Sequence, residues 1–313
     1  MVRLVLRRVA VSGPVLFVVC STTFFLAALI PGNLARTIAG PNASQAQYLA
    51  LRRQLGLNQP ITERYWAWLT AAVHGNLGTS LFSQEPVTSL LDTRLPTTLS
   101  LVIGATFVAA VLGVGLGIAG ARSRGLLGRF VDTLALVGLA LPNFFLGLLL
   151  VSWFAVSLQL LPATGYVPFT QSPAGWIKSL ILPIVTLALP GVAVVAKQTR
   201  DSMKDASSQP FVRTLRAAGI SRRSITFKHV LRSAAIPVAT VIGLVFIGAL
   251  SGTVLVESVF AMPGLGGLAV QATANHDLPL IQGVVVYFTV IVIAVNLLVD
   301  IAYGALDPRV RVS

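Results

Sequence analysis

Six long apolar runs, separated by polar segments, set the limits on how this chain can fold. The runs cover approximately residues 9–30, 98–120, 131–161, 180–197, 236–256 and 281–303. A helix of about 20 apolar residues crosses the hydrocarbon core of a bilayer, and only helices or closed barrels satisfy their backbone hydrogen bonds there. We therefore expect an all-α membrane protein with six transmembrane helices.

The composition supports a membrane protein over a soluble one. Of 313 residues, 55% are hydrophobic and only 11% are charged, whereas a soluble domain carries about a quarter charged residues. The net charge of +13 does not indicate a nucleic-acid partner, because Lys and Arg lie in short segments beside apolar runs, as orientation signals do. We expect membrane lipid around the chain and no nucleic acid. The single cysteine, Cys20, excludes an internal disulfide and a thiolate metal cluster.

The first apolar run follows Arg3, Arg7 and Arg8, as in a secretory signal. It is longer than the ~7–15 residues of a cleaved signal core, and no clear cleavage site ends it. We interpret it as the first spanning helix.

The distribution of Lys and Arg predicts that both termini are cytoplasmic and that the chain lies in the plasma (inner, cytoplasmic) membrane. With that orientation, the outer side holds only Arg36, Arg52, Arg53, Arg64, Arg94 and Lys178 of the 23 Lys and Arg residues. Five of those six lie in one long segment, which counts little in the positive-inside rule.

This orientation divides the chain into four parts. Residues 1–30 form the cytoplasmic N-terminus and the first span, and residues 31–96 form an extracytoplasmic segment with short helices. Residues 97–308 form a core that includes a cytoplasmic loop at 197–236, and residues 309–313 form a cytoplasmic tail. Within 31–96, Ser44 and Gly56 bound one predicted helix, and "ITERYWAWLTAAVHG" predicts a second with an aromatic patch.

The predicted spans carry almost no ionisable residue, and Asp132 and Asp300 lie near the ends of theirs. Ion-coupled carriers and intramembrane enzymes need such groups. We therefore predict no catalytic, cofactor-binding or metal-binding residue in this chain. Either it is a passive pore or scaffold, or a partner supplies the energy. A stand-alone secondary carrier or channel is the alternative.

Two pairs of glycines lie four residues apart in the predicted spans. They are Gly113 with Gly117, and Gly248 with Gly252. Such spacing lets helix backbones approach closely, and we favour packing within this chain over a subunit interface.

The loop between the fourth and fifth spans contains "RTLRAAGISRRSITFKHVLRSAAIP" at 213–237, which has many basic and no acidic residues. Gly219 predicts the end of one helix, Ser208 is a candidate cap for it, and Ser221 predicts the start of another. A short helix with this basic character could insert into a groove on a soluble partner or meet anionic lipid. The spacing alone leaves both open.

This stretch resembles the cytoplasmic coupling loop of permease subunits of ABC importers, in the dipeptide, oligopeptide and nickel branch. Five other segments resemble that family in its order: "RLPTTLSL" (94–101), "LPNFFLGLLL" (141–150), "LLPATGY" (160–166), "VLVESVFAMPGLGGLAVQA" (254–272) and "NLLVDIAYGALDPRVR" (296–311). The chain departs from the family pattern at Ala218, where a Lys is usual, and at Ser233, where an Asn is usual.

The resemblance implies a type I ABC importer permease fold that forms half of a translocation pathway, not an enzyme. Its partners would be a second homologous permease, two ABC ATPase subunits that bind ATP and Mg, and an extracytoplasmic substrate-binding protein. Peptide cargo is the default, with nickel, haem or another small solute as alternatives. The ATPase-coupling residues carried over from the family are Arg213, Thr214, Leu215, Arg216, Ala217, Gly219, Ile220, Ser221, Arg222 and His229. The pore-lining residues are not predicted.

Overall fold

The computed structural model describes residues 2–29, 34–40, 42–54, 56–122, 128–129, 131–133, 138 and 140–306. Its helices are α1 (Val2–Ala28), α2 (Leu34–Ala39), α3 (Gln45–Gln54), α4 (Ile61–Val73), α5 (Val87–Arg122), α6 (Asn143–Leu150), α7 (Pro173–Ser208), α8 (Pro210–Ala217), α9 (Arg222–Ser224), α10 (Leu231–Val259), α11 (Leu265–Ala274) and α12 (Leu278–Leu306). π-Helical turns follow α6 at Val151–Ser157 and α9 at Ile225–Val230. Arg124, Arg309, Arg311 and the predicted tail at 309–313 lie outside the described residues.

Five helical stretches are long and apolar enough to cross a bilayer. They are Ala10–Ala27, Val87–Arg122, Pro173–Ser208, Arg222–Val259 and Leu278–Gly304. The third predicted span is represented by the shorter apolar helix Asn143–Ser157, which begins directly after Pro142. The protein is thus an all-helical, multi-pass membrane protein within its described part, and the count of six spans stays a prediction.

The fourth predicted span is much longer than its apolar run at 180–197. Helix α7 extends from Pro173 to Ser208, with Pro183 and Pro190 inside it. Its start is capped by Ser172, whose hydroxyl accepts from the Gly175 amide at 3.1 Å. Beyond the apolar run, the helix continues as a polar segment. There the Lys197 Nζ lies 3.1 Å from an Asp201 carboxylate oxygen, one turn further along the helix.

The described helices fall into two compact units. One comprises Met1–Val5, Thr97–Met262 and Ala294–Ser313, and the other comprises Leu6–Pro96 and Pro263–Ile293. The first has an apolar core around Leu101, Leu187 and Phe260 and a second apolar cluster around Met203 and Val212.

The close approach of α5 to α7 in the first unit depends on glycines. A Cβ atom at Gly113 would lie 3.0 Å from the Val192 carbonyl oxygen, and one at Gly117 would lie 2.7 Å from the Ala196 carbonyl oxygen. Helices with small residues at this spacing pack with their backbones close together. The predicted role of the Gly113 and Gly117 pair in internal packing is confirmed.

The second unit contains the short helices predicted for 31–96. Ser44 and Gln47 form a reciprocal capping box at the start of α3, with distances of 2.9 and 3.3 Å. Gly56 follows α3 with a φ of +66°, as expected for a helix-terminating glycine. In α4, Tyr65 is buried, its ring centroid lies 5.2 Å from that of Phe24, and Trp66 stays exposed.

A buried carboxylate joins two distant segments of the second unit. Asp277 precedes α12 and accepts hydrogen bonds from the Ser80 hydroxyl at 2.5 Å and the Leu280 amide at 3.3 Å. The first bond fixes the turn at residues 80–86, and the second caps α12. Hydrogen bonding of this kind offsets the burial of a charged group.

Candidate coupling surface

The loop predicted at 197–236 is mostly helix, and only residues 209–221 separate the two long spanning helices around it. Helix α8 begins at Pro210, with Gln209 as the N-cap. The predicted cap, Ser208, is instead the last residue of α7. Proline is favoured at the first helical position, because its missing N–H has no intrahelical partner there. It therefore fixes the start of α8.

The end of α8 is a complete Schellman motif. The Ile220 amide donates to the Leu215 carbonyl at 3.1 Å, and the Gly219 amide donates to the Arg216 carbonyl at 3.0 Å. Gly219 has a φ of +76°, a conformation that residues with a Cβ rarely adopt. These two bonds satisfy carbonyls at the helix end and define a tight corner.

The second helix of the corner starts at Ser221, as predicted. The Ser221 hydroxyl accepts from the Ser224 amide at 3.3 Å, which is N-cap geometry. From Arg222 the helical backbone runs without a break to Val259. The corner is therefore continuous with the spanning helix.

Apolar side chains hold α8 against the ends of α7 and α10. Val212 and Ile225 are buried in a cluster with Met203 and Ala234, and Leu215 and Ile220 pack against this cluster. The spacing of residues 212, 215 and 220 places them on one side of the corner. That side anchors the corner to the spanning helices.

The structure divides the predicted coupling residues into two groups. Leu215, Ile220 and His229 are partly buried, and the first two belong to the anchoring side. The others are exposed: Arg213, Thr214, Arg216, Ala217, Gly219, Ser221 and Arg222. These residues form the exposed surface of the corner.

The charged side chains of the corner itself are all positive. Exposed Arg213, Arg216, Arg222 and Arg223 surround the corner, and the sequence from residue 206 to residue 256 contains no acidic residue. Such a surface attracts an acidic partner or anionic lipid.

Two polar side chains inside the first unit were not predicted from the sequence. Glu257 in α10 is 1% exposed and accepts from the Thr98 hydroxyl at 2.7 Å. The apolar run at 236–256 ends one residue before it, so hydropathy alone places it outside the span. Asn143 begins α6 and lines a cavity between α6, α7 and α10. Its position next to Pro142, in the middle of an apolar run, is the signal that could have identified it.

No group of three or more His, Cys, Asp or Glu that could hold a metal ion occurs among the described residues. Of the histidines, His74 has an ordinary local contact, with its Nδ1 2.7 Å from the Thr70 carbonyl oxygen.

Comparison with protein families identifies the chain. Residues 111–312 match the family described as "binding-protein-dependent transport system inner membrane component", and residues 1–102 match the N-terminal domain of such membrane components. The chain belongs to this family. It is a permease component of an ABC transporter, as its resemblance indicated, and the family is not one of enzymes.

Relatives of similar length support the same family. A protein of Brucella abortus (strain 2308) named as a peptide transport system permease is 40% identical over 315 residues, which cover 99% of each chain. The glutathione transport system permease protein GsiC of Salmonella typhi is 40% identical over 316 residues, with the same coverage. A protein of Sinorhizobium fredii named as a peptide ABC transporter permease is 39% identical over 308 residues and 98% of each chain.

A solved structure supports the fold. The MetNI methionine ABC transporter, in an inward-facing conformation, has a chain that matches with a TM-score of 0.56 and 18% identity. The match covers 70% of the permease and 97% of that chain. The permease thus has the fold of a type I ABC importer permease.

Proposed function

We propose that this permease forms half of the translocation pathway of an ATP-driven importer of di- and oligopeptides. The observation that carries the proposal is the 39–40% identity, over nearly the full length of both chains, to permeases named for peptide or glutathione transport. Glutathione is itself a tripeptide, so the names agree on one class of cargo.

The energy for import would come from partner subunits. Two cytoplasmic ATPases would bind ATP and Mg, a second homologous permease would complete the pathway, and an extracytoplasmic binding protein would deliver the cargo. The near absence of charged side chains in the six apolar runs supports an external source of energy, since ion-coupled carriers place such groups in the membrane.

The exposed basic corner at 213–222 would enter a groove on the ATPase. Its Schellman geometry and its apolar anchor support this role, because a rigid corner transmits displacement and a mobile loop absorbs it. The coupling residues on the exposed side would be Arg213, Thr214, Arg216, Ala217, Gly219, Ser221 and Arg222. Leu215, Ile220 and His229 would support them from the anchored side.

The topology that suits this role has six spans, both termini in the cytoplasm and the chain in the inner membrane. Residues 1–30 would form the N-terminus and first span, 31–96 the external segment, 97–308 the core and 309–313 the tail. The excess of Lys and Arg in the inner segments supports this arrangement.

Uptake by a deletion strain tests the cargo. We expect loss of this gene to abolish uptake of labelled di- and tripeptides and to leave uptake of nickel unchanged, with a plasmid copy restoring peptide uptake. Loss of nickel uptake with normal peptide uptake would show that the cargo is the metal.

Reconstitution tests the requirement for ATP. We expect the permease alone in proteoliposomes to carry no labelled dipeptide, and the assembled complex to carry it only with ATP and Mg. Uptake by the permease alone would support a secondary carrier or channel.

A further inference from the structure

A cavity of about 320 Å³ lies in the first unit between α6, α7 and α10. Its walls include Leu187, Pro190, Val194, Leu244 and Val245, and Asn143 is the one polar side chain among the described residues that line it. The wall residues on α7 and α10 come from the middle of their apolar runs at 180–197 and 236–256. The cavity is therefore at the depth of the hydrocarbon core.

The Asn143 side chain makes no hydrogen bond within the part of the chain that the structure describes. A primary amide has two donor hydrogens and an acceptor oxygen, and leaving them unpaired in an apolar environment is unfavourable. Polar side chains at membrane depth normally face a protein interior or a polar cavity and mark a functional position. An acyl chain in this cavity would leave the amide unpaired, whereas a polar occupant would satisfy it.

Space for this amide depends on a glycine of α10. A Cβ atom on Gly252 would lie 2.9 Å from the Asn143 Nδ2 and 3.1 Å from the Leu187 Cδ2. A Cβ on Gly248, one turn earlier and also at the cavity wall, would meet nothing within 4 Å. The absence of a Cβ at Gly252 thus leaves space for the amide in this position, and the cavity has room beside Gly248.

We propose that this cavity is a transient subsite for the peptide bond of the cargo, with Asn143 pairing with its N–H and C=O groups. The proposal rests on peptide import as the proposed function. A lone neutral amide in apolar walls recognises what all peptides share and is indifferent to the charge of their side chains. The volume is at the small end of ligand pockets, which span about 300–1,000 Å³, and fits a short segment of peptide. Binding through one amide is weak, as release during transport requires.

The test uses the complete transporter in proteoliposomes with labelled alanyl-alanine at a concentration that saturates the binding protein. We expect Asn143→Leu to lower the maximal uptake rate about three- to tenfold, the effect of one hydrogen bond, and Asn143→Gln to restore at least half of it. Asn58→Leu is the control for the same change of residue type, because Asn58 is an exposed asparagine outside the apolar runs, and we expect it to leave uptake unchanged.

Two further comparisons separate recognition from packing. Gly252→Ala should reproduce the loss because it displaces the amide, whereas Gly248→Ala adds the same methyl group and should have little effect. An analogue with an ester oxygen in place of the peptide N–H should be carried by the wild type more slowly than the dipeptide, because the ester keeps only its carbonyl as a partner for Asn143. The Asn143→Leu variant should carry both compounds alike. If the binding protein does not bind the ester, the dipeptide uptake rates of Asn143→Leu and Asn143→Gln decide whether Asn143 acts by hydrogen bonding.

Full dipeptide uptake by Asn143→Leu would overturn the subsite and leave the proposed function standing. The subsite would also be overturned if Asn143→Leu lowered the uptake rate of the dipeptide and that of the ester by the same factor. That result would indicate a packing or lipid-facing role for Asn143. A wild-type complex that carries no peptide would overturn the proposed function itself, and the subsite with it.

Discussion

Gly219 has a φ of +76°, and a Cβ atom there would meet nothing within 4 Å. The requirement for glycine is therefore conformational and not steric. A left-handed backbone costs an ordinary residue about 1–2 kcal/mol, and β-branched residues are the least suited to it. Asparagine tolerates this conformation better than most residues.

We predict that Gly219→Val abolishes cargo-stimulated ATP hydrolysis by the assembled complex, because the Schellman corner reorganises. Gly219→Asn should retain most of the stimulation. Ala218→Val, at an adjacent residue with a φ of −77°, controls for the added side chain. Membrane fractions should contain all variants in equal amounts. Wild-type stimulation in Gly219→Val would contradict the coupling role of the corner.

Asp277 is a second residue on which local structure depends. It accepts hydrogen bonds from Ser80 and from the first turn of α12, and hydrogen bonds to charged groups contribute about 1.5–3 kcal/mol. We predict that Asp277→Ala lowers the free energy of unfolding by about that amount, because the buried Ser80 hydroxyl loses its acceptor. Asp277→Asn should lower it less, since one acceptor oxygen remains. Ser83→Ala, in the same turn, is the control.

Thermal unfolding of the detergent-solubilised permease measures these differences. If the Ala and Asn variants unfold at the wild-type temperature, the link between the turn and α12 is not a stabilising contact.

At the scale of elements, the packing of α5 on α7 depends on glycine and not on apolar bulk. Adding a methyl group at Gly117 would bring it within 2.7 Å of the Ala196 carbonyl oxygen, while Gly115 has open space around it. Overpacking of this kind costs about 1–3 kcal/mol, and glycine to alanine in an open helical position gains up to about 1 kcal/mol.

We therefore predict that Gly117→Ala reduces the amount of folded permease in the membrane and its melting temperature. Gly115→Ala, on the same helix, should be neutral or slightly stabilising. Expression and thermal unfolding of the pair provide the measurement, and equal stability of the two variants would show that α5 does not depend on this contact.

For the whole molecule, the proposed topology makes a direct prediction about labelling. Cys20 is the single cysteine of the sequence, so a variant with Cys20→Ala provides a background free of cysteine. We predict that a cysteine introduced at Asn58 reacts with a membrane-impermeant maleimide in intact cells. A cysteine introduced at Ser221 should react only after the membrane is permeabilised. The reverse pattern would place the basic corner outside the cell and exclude coupling to a cytoplasmic ATPase.

Much of the architecture could be predicted from the sequence, because each prediction rested on a local physical signal. Apolar runs indicated the spanning helices, and Ser44, Gly56 and Ser221 indicated helix boundaries. Local signals failed where the backbone continued past its apolar run, as in α7, whose polar end is buried against other helices through Met203 and Ala206. They also failed at Ser208, because Pro210 sets the start of α8.

The sequence by itself determined the class of the protein, the places of most of its spanning helices and the corner at Gly219, because hydropathy, capping and positive φ are properties of neighbouring residues. Only the tertiary structure decided which side of that corner is anchored and which is exposed. It alone brought Thr98 to Glu257, Ser80 to Asp277, and Asn143 to the cavity beside Gly252. Those contacts join residues far apart in the chain, and their geometry follows from how helices pack, which no local pattern encodes.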